Sequence, residues 1–449
     1  MAAQDTEARF TDIDDLRVGM FIYVDLGWMK HPFALNSFKI GSRDQIDTLI
    51  NLGVKRIRWS PEKSDPEPDP APEQPDEKVG AGGMASAGTP RDMGAARQAM
   101  ADAVAAAVAA LAAERLRRRE QLSSQRESLA VCERQFDAAA RSYCQVIDAV
   151  RTQPEAVRVQ VAETVGGMVG EMIAQEESVI RLLSENIGER TSQHAVNVAV
   201  FSLLLGKTMG LDSVALNALG TGALLHDIGK IELPEHLRGH DTYCNAAERR
   251  RYQEHVAHGV ALGQAMQLPA DVLVMIAQHH ELADGGGYPR QLVGEQIAPL
   301  ARIVALVNHY DHLCNPDNPS QAITPHEALS RIYAQMKHQF DAGVLMPFIR
   351  MIGVYPPGSV IELTDGRFAM VISVNAARPL KPNIVIFEPH IPREEALVED
   401  LEHTPDLGIR RSLKPLQLPK AAFDYLSPRQ RICYFFERAR STPEHASAP

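Results

Sequence analysis

The sequence predicts a multidomain, mainly α-helical protein: an all-α helical bundle preceded by a small α+β domain and a long helix, and followed by a small β-rich module. Three observations lead to this prediction. The chain has 449 residues, more than one ordinary core holds. Helical periodicity runs through residues 188–350 almost without interruption. After Gly353 the pattern changes to short β-rich runs separated by turn residues.

Residues 1–60 are predicted to form the small N-terminal α+β domain. Residues 21–24 (FIYV) form a short apolar strand in this prediction, residues 43–53 contain an amphipathic helix, and residues 54–59 alternate as a half-buried strand does. Residues 61–90 follow as a linker rich in proline, acidic residues and then glycine. Because such a composition buries too little apolar surface to fold, the linker is predicted to be disordered.

Residues 91–187 are predicted to be a long helical segment. The part up to Val150 is rich in Ala, Leu, Arg, Glu and Gln, and several apolar residues recur at seven-residue spacing, which is typical of a coiled coil. A long helix packed within the same chain would show a similar pattern, and both alternatives stay open. Pro154 is expected to separate this helix from a second helical stretch around residues 155–187.

Residues 351–449 are predicted to be a β-rich C-terminal module and tail. The runs SVIEL, FAMVISV and NIVIF are separated by TDGR and ARPLKPN, whose turn residues suit a small antiparallel sheet or barrel. The tail is predicted to end in a short helix, PRQRICYFFERA. The module would serve either as an interaction element or as a cap on the helical bundle.

Charge and cysteine usage limit the compartment and the partners of the protein. The formal net charge of −11 repels polyanions, so DNA is not an expected partner. The five cysteines are scattered and odd in number, which argues against a disulfide framework and fits a reducing cytosol. No window approaches 18 uninterrupted apolar residues, so no membrane span is expected, and the protein is expected to be cytoplasmic.

Histidines mark the candidate site, since ten of the sixteen lie between residues 194 and 312. The strongest local signal is the pair His226-Asp227, which ends an apolar helix and can bind one divalent ion or bridge two. Together with histidines from neighbouring helices it predicts a metal site inside a helical bundle. Five other histidines are expected to be structural or peripheral: His236, His240, His258, His309 and His312.

A glycine-rich loop follows the second histidine pair. Glu281 comes directly after His279-His280, and the run Asp284 to Pro289 reads DGGGYP. Glycines let the backbone approach a ligand closely, while Tyr288-Pro289 supplies an aromatic face and a rigid exit. The loop is therefore a candidate for substrate binding, through Gly287, Tyr288 and Pro289, and an ordinary turn is the alternative.

The motifs HDIGK, HHE and DGGGYP, in this order and spacing, resemble the HD-GYP family, a branch of the HD superfamily of metal-dependent phosphohydrolases. The resemblance covers roughly residues 186–350, within a catalytic domain placed at 188–350. Residues 16–40 also resemble a small domain of unknown function that is often fused ahead of HD-GYP modules. The resemblance implies an HD-type helical bundle and a bacterial signalling phosphodiesterase that hydrolyses cyclic di-GMP to pGpG and often on to GMP.

The resemblance also implies roles for individual residues. Two divalent metal ions, iron or manganese, would be held by six residues: His194, His226, Asp227, His255, His279 and His280. Lys230 would face a substrate phosphate, so that Asp227 and Lys230 are the implied catalytic residues. Arg190 stands where some members have a glutamate for a third metal, which favours two ions.

Two departures from the family pattern bear on activity. Asn308 stands where the family has its last ligand, an aspartate, and an amide oxygen binds a metal without supplying charge. Residues 314–319 (CNPDNP) replace a basic substrate loop. Three functions therefore stay open: an active phosphodiesterase on cyclic di-GMP, a degenerate module that binds a cyclic dinucleotide or a protein partner without turnover, and hydrolysis of a different cyclic dinucleotide.

The N-terminal domain and the long helix are expected to sense or transmit a signal through a homodimer.

Overall fold

The computed structural model describes residues 9–24, 37–51, 54–66, 90–174, 177–184, 190–239, 245–404 and 406–438. The chain divides into two compact units, residues 1–123 with 388–395 and residues 124–387 with 396–449. Helices dominate the second unit, so the predicted multidomain, mainly α-helical class is confirmed. None of the helices among the described residues combines the length and the apolar character that crossing a membrane requires.

The first unit contains a small antiparallel sheet with one helix against it. The elements are β1 (Arg9–Asp12), β2 (Phe21–Tyr23), β3 (Ser37–Lys39), α1 (Arg43–Asn51) and β4 (Arg56–Ser60), and the strand order is β1-β4-β2-β3. Apolar side chains from the helix and the strands share one core, which includes Ile22, Ile46, Leu49 and Ile57. The two predicted strands and the predicted helix are therefore present.

The folded N-terminal region extends a few residues into the predicted linker. Residues 61–66 form a turn in which the amide of Asp65 donates to the carbonyl of Gly19 at 2.9 Å and the Asp65 carboxylate pairs with Lys39. Residues 67–89, most of the predicted linker, lie outside the described residues.

A long helix, α2 (Pro90–Ala149), is followed by α3 (Pro154–Ile173), and the break between them lies at Pro154 as predicted. The second half of α2 is packed within the chain, since Phe136 and Val146 belong to the same core as Val157 of α3. The first half differs, because it exposes large apolar side chains at Met100, Val104, Val108 and Leu116.

The bundle that carries the site is all-α, as predicted for this region. Its helices are α4 (Arg190–Thr208), α5 (Ser213–Leu225), α6 (Ala246–Gln253), α7 (His255–Ala265), α8 (Ala270–Gln278), α9 (Pro299–Cys314), α10 (Pro325–Gln335) and α11 (Ala342–Ile352). Between α3 and α4 lies β5 (Ser178–Leu182). The helices α4, α5, α8 and α9 contribute their apolar side chains to one core, within which polar residues of the site are buried.

The C-terminal region supplies most of a seven-stranded antiparallel sheet, which confirms a β-rich module. Its strands are β6 (Val360–Leu363), β7 (Phe368–Asn375), β8 (Asn383–Ile386), β9 (Val398–Asp400), β10 (Ile409–Leu413) and, after α12 (Lys420–Leu426), β11 (Tyr434–Arg438). The main path is β10-β6-β7-β5-β11, with β8 on β7 and β9 on β8.

Two strands of this sheet differ from the sequence prediction. Residues 178–182 were expected to be helical and form β5, and the predicted tail helix contains β11 instead. Both segments pair with each other and are buried along most of their length. Each has only a short apolar stretch, Val179-Ile180 in β5 and residues 434–436 in β11, and periodicity alone does not separate such a stretch from part of a buried helix.

Candidate metal centre

The centre of the site is Asp227, which follows the apolar helix α5 and enters a 3-10 turn, Ile228–Glu232. Helix α7 packs directly against this turn. A Cβ at Gly229 would lie 2.0 Å from the carbonyl oxygen of His255 and 2.3 Å from the amide nitrogen of Gly259, so only glycine permits the approach. This contact brings the start of α7, with His255, to the end of α5, with Asp227.

Each carboxylate oxygen of Asp227 faces two imidazole nitrogens. On one side, Oδ1 lies 3.5 Å from Nε2 of His255 and 3.6 Å from Nε2 of His279. On the other side, Oδ2 lies 3.3 Å from Nε2 of His226 and 3.5 Å from Nε2 of His194. The carboxylate therefore joins two groups of histidines that come from different helices.

Hydrogen bonds at Nδ1 fix the orientation of three of these rings. Nδ1 of His226, of His255 and of His279 each donates to the backbone carbonyl three residues earlier, at 2.7, 2.6 and 2.7 Å respectively. With the proton on Nδ1, the neutral ring directs a lone pair from Nε2 toward Asp227. This is the arrangement in which a histidine presents a metal-binding nitrogen.

The facing nitrogens are placed as ligands of a cation would be. Nε2 of His255 lies 3.3 Å from Nε2 of His279, and Nε2 of His194 lies 3.2 Å from Nε2 of His226. Two lone pairs that face each other at this distance repel. Two imidazole nitrogens about 2.1 Å from one ion would lie roughly 2.9–3.4 Å apart, so a cation between them removes the repulsion. The donor set of imidazoles and one carboxylate suits a divalent transition metal.

Burial keeps the ligand groups in their binding forms. Burial lowers the pKa of His255 to about 3, lowers that of His279, and holds that of His280 well below its ordinary value. These rings are therefore neutral at physiological pH. Burial alone would raise the pKa of Asp227, but the ammonium of Lys230 outweighs it, and the pKa lies well below its usual range, so the carboxylate stays ionised.

We define the inner cluster as Asp227, His255, His279 and His280, whose ligand atoms all lie within 4.8 Å of one another. The glycine-rich loop supports it. A Cβ at Gly287 would lie 2.5 Å from the carbonyl oxygen of His280, and the ring of Tyr288 stacks on the ring of His280 at 4.5 Å. The loop thus packs against the histidine pair and fixes the position of His280.

We define the outer cluster as His194, His226, Asp227 and His312. Ligand atoms of His194, Asp227 and His312 lie within 4.8 Å of one another, and the rings of His194 and His312 stack at 4.5 Å. Nδ1 of His194 donates to Asp311 at 2.7 Å, which directs Nε2 toward Asp227. The sequence treated His312 as peripheral; its position four residues after Asn308, on the same face of a helix, was the available signal.

Asn308 lies on α9, three and four residues before Asp311 and His312, and is 2% exposed. Its Oδ1 is buried and accepts no hydrogen bond within the described part of the chain. A buried oxygen of this kind costs about 1–3 kcal/mol when nothing binds it. The amide oxygen therefore fits a place beside a cation.

A cavity of about 420 Å³ opens beside the outer cluster, and His194, Asp227 and His312 contribute to its wall. Lys230 also lines it, with Nζ 2.6 Å from Oδ2 of Asp227 and over the ring of Tyr252. Gly287, Tyr288 and Pro289 are not among the described residues that line this cavity. The altered loop does reach it through Asn315, Asp317 and Asn318, without a cation, whereas three basic residues from elsewhere line it: His236, Arg238 and Arg431.

Comparison with known proteins agrees with this geometry. Residues 177–344 match the family model described as the HD domain. This region is therefore similar to HD domains. Residues 9–160 match a domain of unknown function designated DUF3391, so both parts of the resemblance found in the sequence are confirmed. HD domains bind divalent metal ions, and the two clusters offer the ligands for them.

The chain is also similar to proteins that are named as cyclic di-GMP phosphodiesterases. Over 378 residues the chain is 26% identical to a cyclic di-GMP phosphodiesterase of Pseudomonas aeruginosa, covering 84% of each chain. Over 224 residues it is 23% identical to a cyclic di-GMP phosphodiesterase of Borreliella burgdorferi, covering 49% of this chain and 59% of that one. A solved structure of an HDG"Y"P protein from Bdellovibrio bacteriovorus aligns with 76% of this chain and 97% of its own, at 14% identity and a TM-score of 0.40.

Proposed function

We propose that this chain is a metal-dependent phosphodiesterase that acts in the bacterial cytoplasm and hydrolyses cyclic di-GMP to pGpG, to GMP or to both. One observation carries the proposal. Two pairs of imidazole Nε2 atoms face each other at 3.2 and 3.3 Å, one pair on each oxygen of Asp227. The names of the relatives and the HD domain support the same reaction class.

Seven residues would hold two divalent ions, iron or manganese: His194, His226, Asp227, His255, His279, His280 and Asn308. When bound, such a pair of ions supplies a nucleophile from water at neutral pH and neutralises charge on the phosphodiester. Asp227 holds one carboxylate oxygen toward each cluster, so that it would help to hold both ions. The carbonyl-bound rings of His226, His255 and His279 need no reorganisation for this purpose.

Lys230 is the residue that we expect to contact a substrate phosphate. Its ammonium lies on the cavity wall at Asp227, so a phosphate placed against the outer cluster would meet it. The same wall carries Arg238 and Arg431. These cations supply local positive charge in a chain of net charge −11. We propose that they bind the substrate phosphates in place of the basic loop, which residues 314–319 replace in this chain.

The role of the glycine-rich loop in substrate binding stays a prediction. The DGGGYP motif predicts that Gly287, Tyr288 and Pro289 bind substrate. The packing of Tyr288 on His280 supports a second role, in which the loop positions a metal ligand. Glu281 holds the loop in place, since its carboxylate accepts from the amides of Arg290 and Leu292 at 2.7 and 2.8 Å.

The reaction is tested with purified protein reconstituted with Mn²⁺ or Fe²⁺ and incubated with cyclic di-GMP and, in parallel, with a second cyclic dinucleotide. Products are resolved by chromatography. We expect pGpG and GMP from the wild type and none from a His226→Ala/Asp227→Ala double variant. If metal-loaded wild type forms no more product than this variant, the enzymatic proposal is wrong.

A module that binds a cyclic dinucleotide without turnover is the second candidate. Asn308 favours it, because a neutral amide in place of a carboxylate leaves less negative charge to hold the ions. Isothermal titration with cyclic di-GMP separates the two functions. Binding by a metal-loaded chain that forms no product would support the second candidate, whereas turnover excludes it.

We further propose that the first half of α2 pairs with the same helix of a second copy and transmits a signal from the N-terminal domain. Its exposed residues Met100, Val104, Val108 and Leu116 recur at close to helical spacing. Light scattering at micromolar concentration tests this. We expect a dimer for the wild type and a monomer for Val104→Glu/Val108→Glu; a monomeric wild type would contradict the proposal.

A further inference from the structure

His312 reaches the metal centre from helix α9, which also positions His194. The Asp311 carboxylate accepts from Nδ1 of His194 at 2.7 Å, and the next residue, His312, stacks its ring on the same imidazole with an angle of 25° between the planes. One turn of one helix therefore both orients a ligand and brings a second imidazole beside it.

The position of His312 is compatible with direct binding. A ring nitrogen of His312 lies within 4.8 Å of ligand atoms of both His194 and Asp227. Ligand atoms on opposite sides of one ion lie about 4.2 Å apart, and adjacent ligand atoms lie about 3 Å apart. A small movement of the His312 side chain would therefore bring its ring nitrogen to a binding distance from an ion held by His194 and Asp227. His312 also lines the cavity, so an ion held there would face the substrate.

The other histidine of α9, His309, does not share this placement. The ring of His309 packs near Phe340, with 5.4 Å between ring centres, on another side of the helix. Asp311 is already engaged by His194, Asn197 and Asn315. Of His309, Asp311 and His312, which could compensate for an amide in place of a carboxylate at position 308, His312 is thus the residue best placed to bind an ion at the outer cluster.

We propose that His312 is a metal ligand of this chain and completes an outer subsite of His194, His226, Asp227 and His312. The proposal rests on the metal centre proposed above. It gives the outer subsite three imidazoles and one carboxylate oxygen. Imidazole suits iron and zinc, whereas carboxylates suit manganese, so the outer subsite should select Fe²⁺ over Mn²⁺.

Metal content tests this without reference to turnover. The full-length wild type, His312→Ala, His312→Asp and the matched control His309→Ala are reconstituted anaerobically with Fe²⁺ or Mn²⁺. Bound ions per chain are measured by mass spectrometry, and affinities by competition with a chelator. We expect two ions in the wild type and in His309→Ala. In His312→Ala one ion should bind at least about tenfold more weakly, while the other stays. His312→Asp should keep two ions and shift the preference toward Mn²⁺.

The outcomes separate this proposal from the proposed function. Retention of the inner ion in His312→Ala shows that the variant is folded, because that ion needs α5, α7 and α8 in place. Two tightly held ions in His312→Ala would overturn the role of His312 and leave the metal centre intact. A wild type that binds no ion would overturn the metal centre itself.

Discussion

The inner and outer clusters share Asp227 but are held in different ways. In the inner cluster, His255 is fixed by the carbonyl of Tyr252 in α6 and His279 by the carbonyl of Ile276 in α8, and both rings are almost fully buried. In the outer cluster, His194 is fixed by the side chain of Asp311 and faces the cavity. The rings of His255 and His279 are therefore oriented by carbonyls close to them in sequence, whereas the orientation of His194 depends on a contact with a distant helix.

Those tertiary contacts extend to the segment that precedes β11. Oδ1 of Asp311 accepts from Nδ2 of Asn197 and of Asn315, and both amides also donate to the carbonyl of Ile432. The amide of Ile432 in turn donates to Oδ1 of Asn315 at 2.7 Å. The segment before β11 is thus part of the support of the outer cluster. Of the two roles that the sequence left open for the C-terminal region, this network favours a structural one.

The largest effect should come from removing what the two clusters share. Asp227→Asn keeps the shape but loses the charge that both ions need, so we expect phosphodiesterase activity to fall by about 10³-fold or more, since metal catalysis supplies several kcal/mol. Metal content and product formation are measured together. Asp365→Asn, in the turn between β6 and β7, is the control. Activity within tenfold of the wild type would contradict a shared role for Asp227.

Damage confined to the inner cluster should follow from Gly229→Ala. The added methyl group would overlap the backbone of α7 at His255, so we expect a loss of about 1–3 kcal/mol in unfolding free energy together with the inner ion. Gly167→Ala in α3 is the matched control, because a Cβ there meets nothing within 4 Å. Thermal unfolding and metal content are the measurements. Equal melting temperatures for the two variants would refute the packing argument.

Damage confined to the outer cluster should follow from Asp311→Ala. Without the carboxylate the ring of His194 is no longer held, and the outer ion should bind about 10–100-fold more weakly while the inner ion is retained. Asp311→Asn keeps an acceptor for His194 without the charge, so its effect should be intermediate. Chelator competition measures both variants. A loss of both ions to the same extent would mean that the clusters are not independent.

The inner cluster was predictable from the sequence and the outer cluster only in part. Asp227 and His279-His280 follow helices with clear periodicity, so their placement at helix ends could be expected. His312 was signalled only by its spacing of four residues from Asn308, and Arg431 had no signal, because the approach of both residues to the site depends on how α9 and the C-terminal segment pack. The sequence did not predict strands β5 and β11 because each has only a short apolar stretch and pairs with a strand that is distant in sequence.

The smallest expected effect, and the one that sharpens the comparison most, is a gain. Asn308→Asp places a charged oxygen where Oδ1 is now buried without a hydrogen bond among the described residues, on the face of α9 that carries Asp311 and His312. Because a carboxylate suits Mn²⁺ better than an amide does, we expect the outer ion to bind Mn²⁺ about three- to tenfold more tightly.

Asn217→Asp is the control for this gain. It adds the same charge to the chain on α5, about 14 Å along the helix from His226. A general electrostatic effect would raise Mn²⁺ affinity in both variants, whereas a ligand effect raises it in Asn308→Asp alone. Unchanged affinity in Asn308→Asp would mean that Asn308 does not reach the outer ion, and that the outer cluster is completed by His312 without help from the residue at position 308.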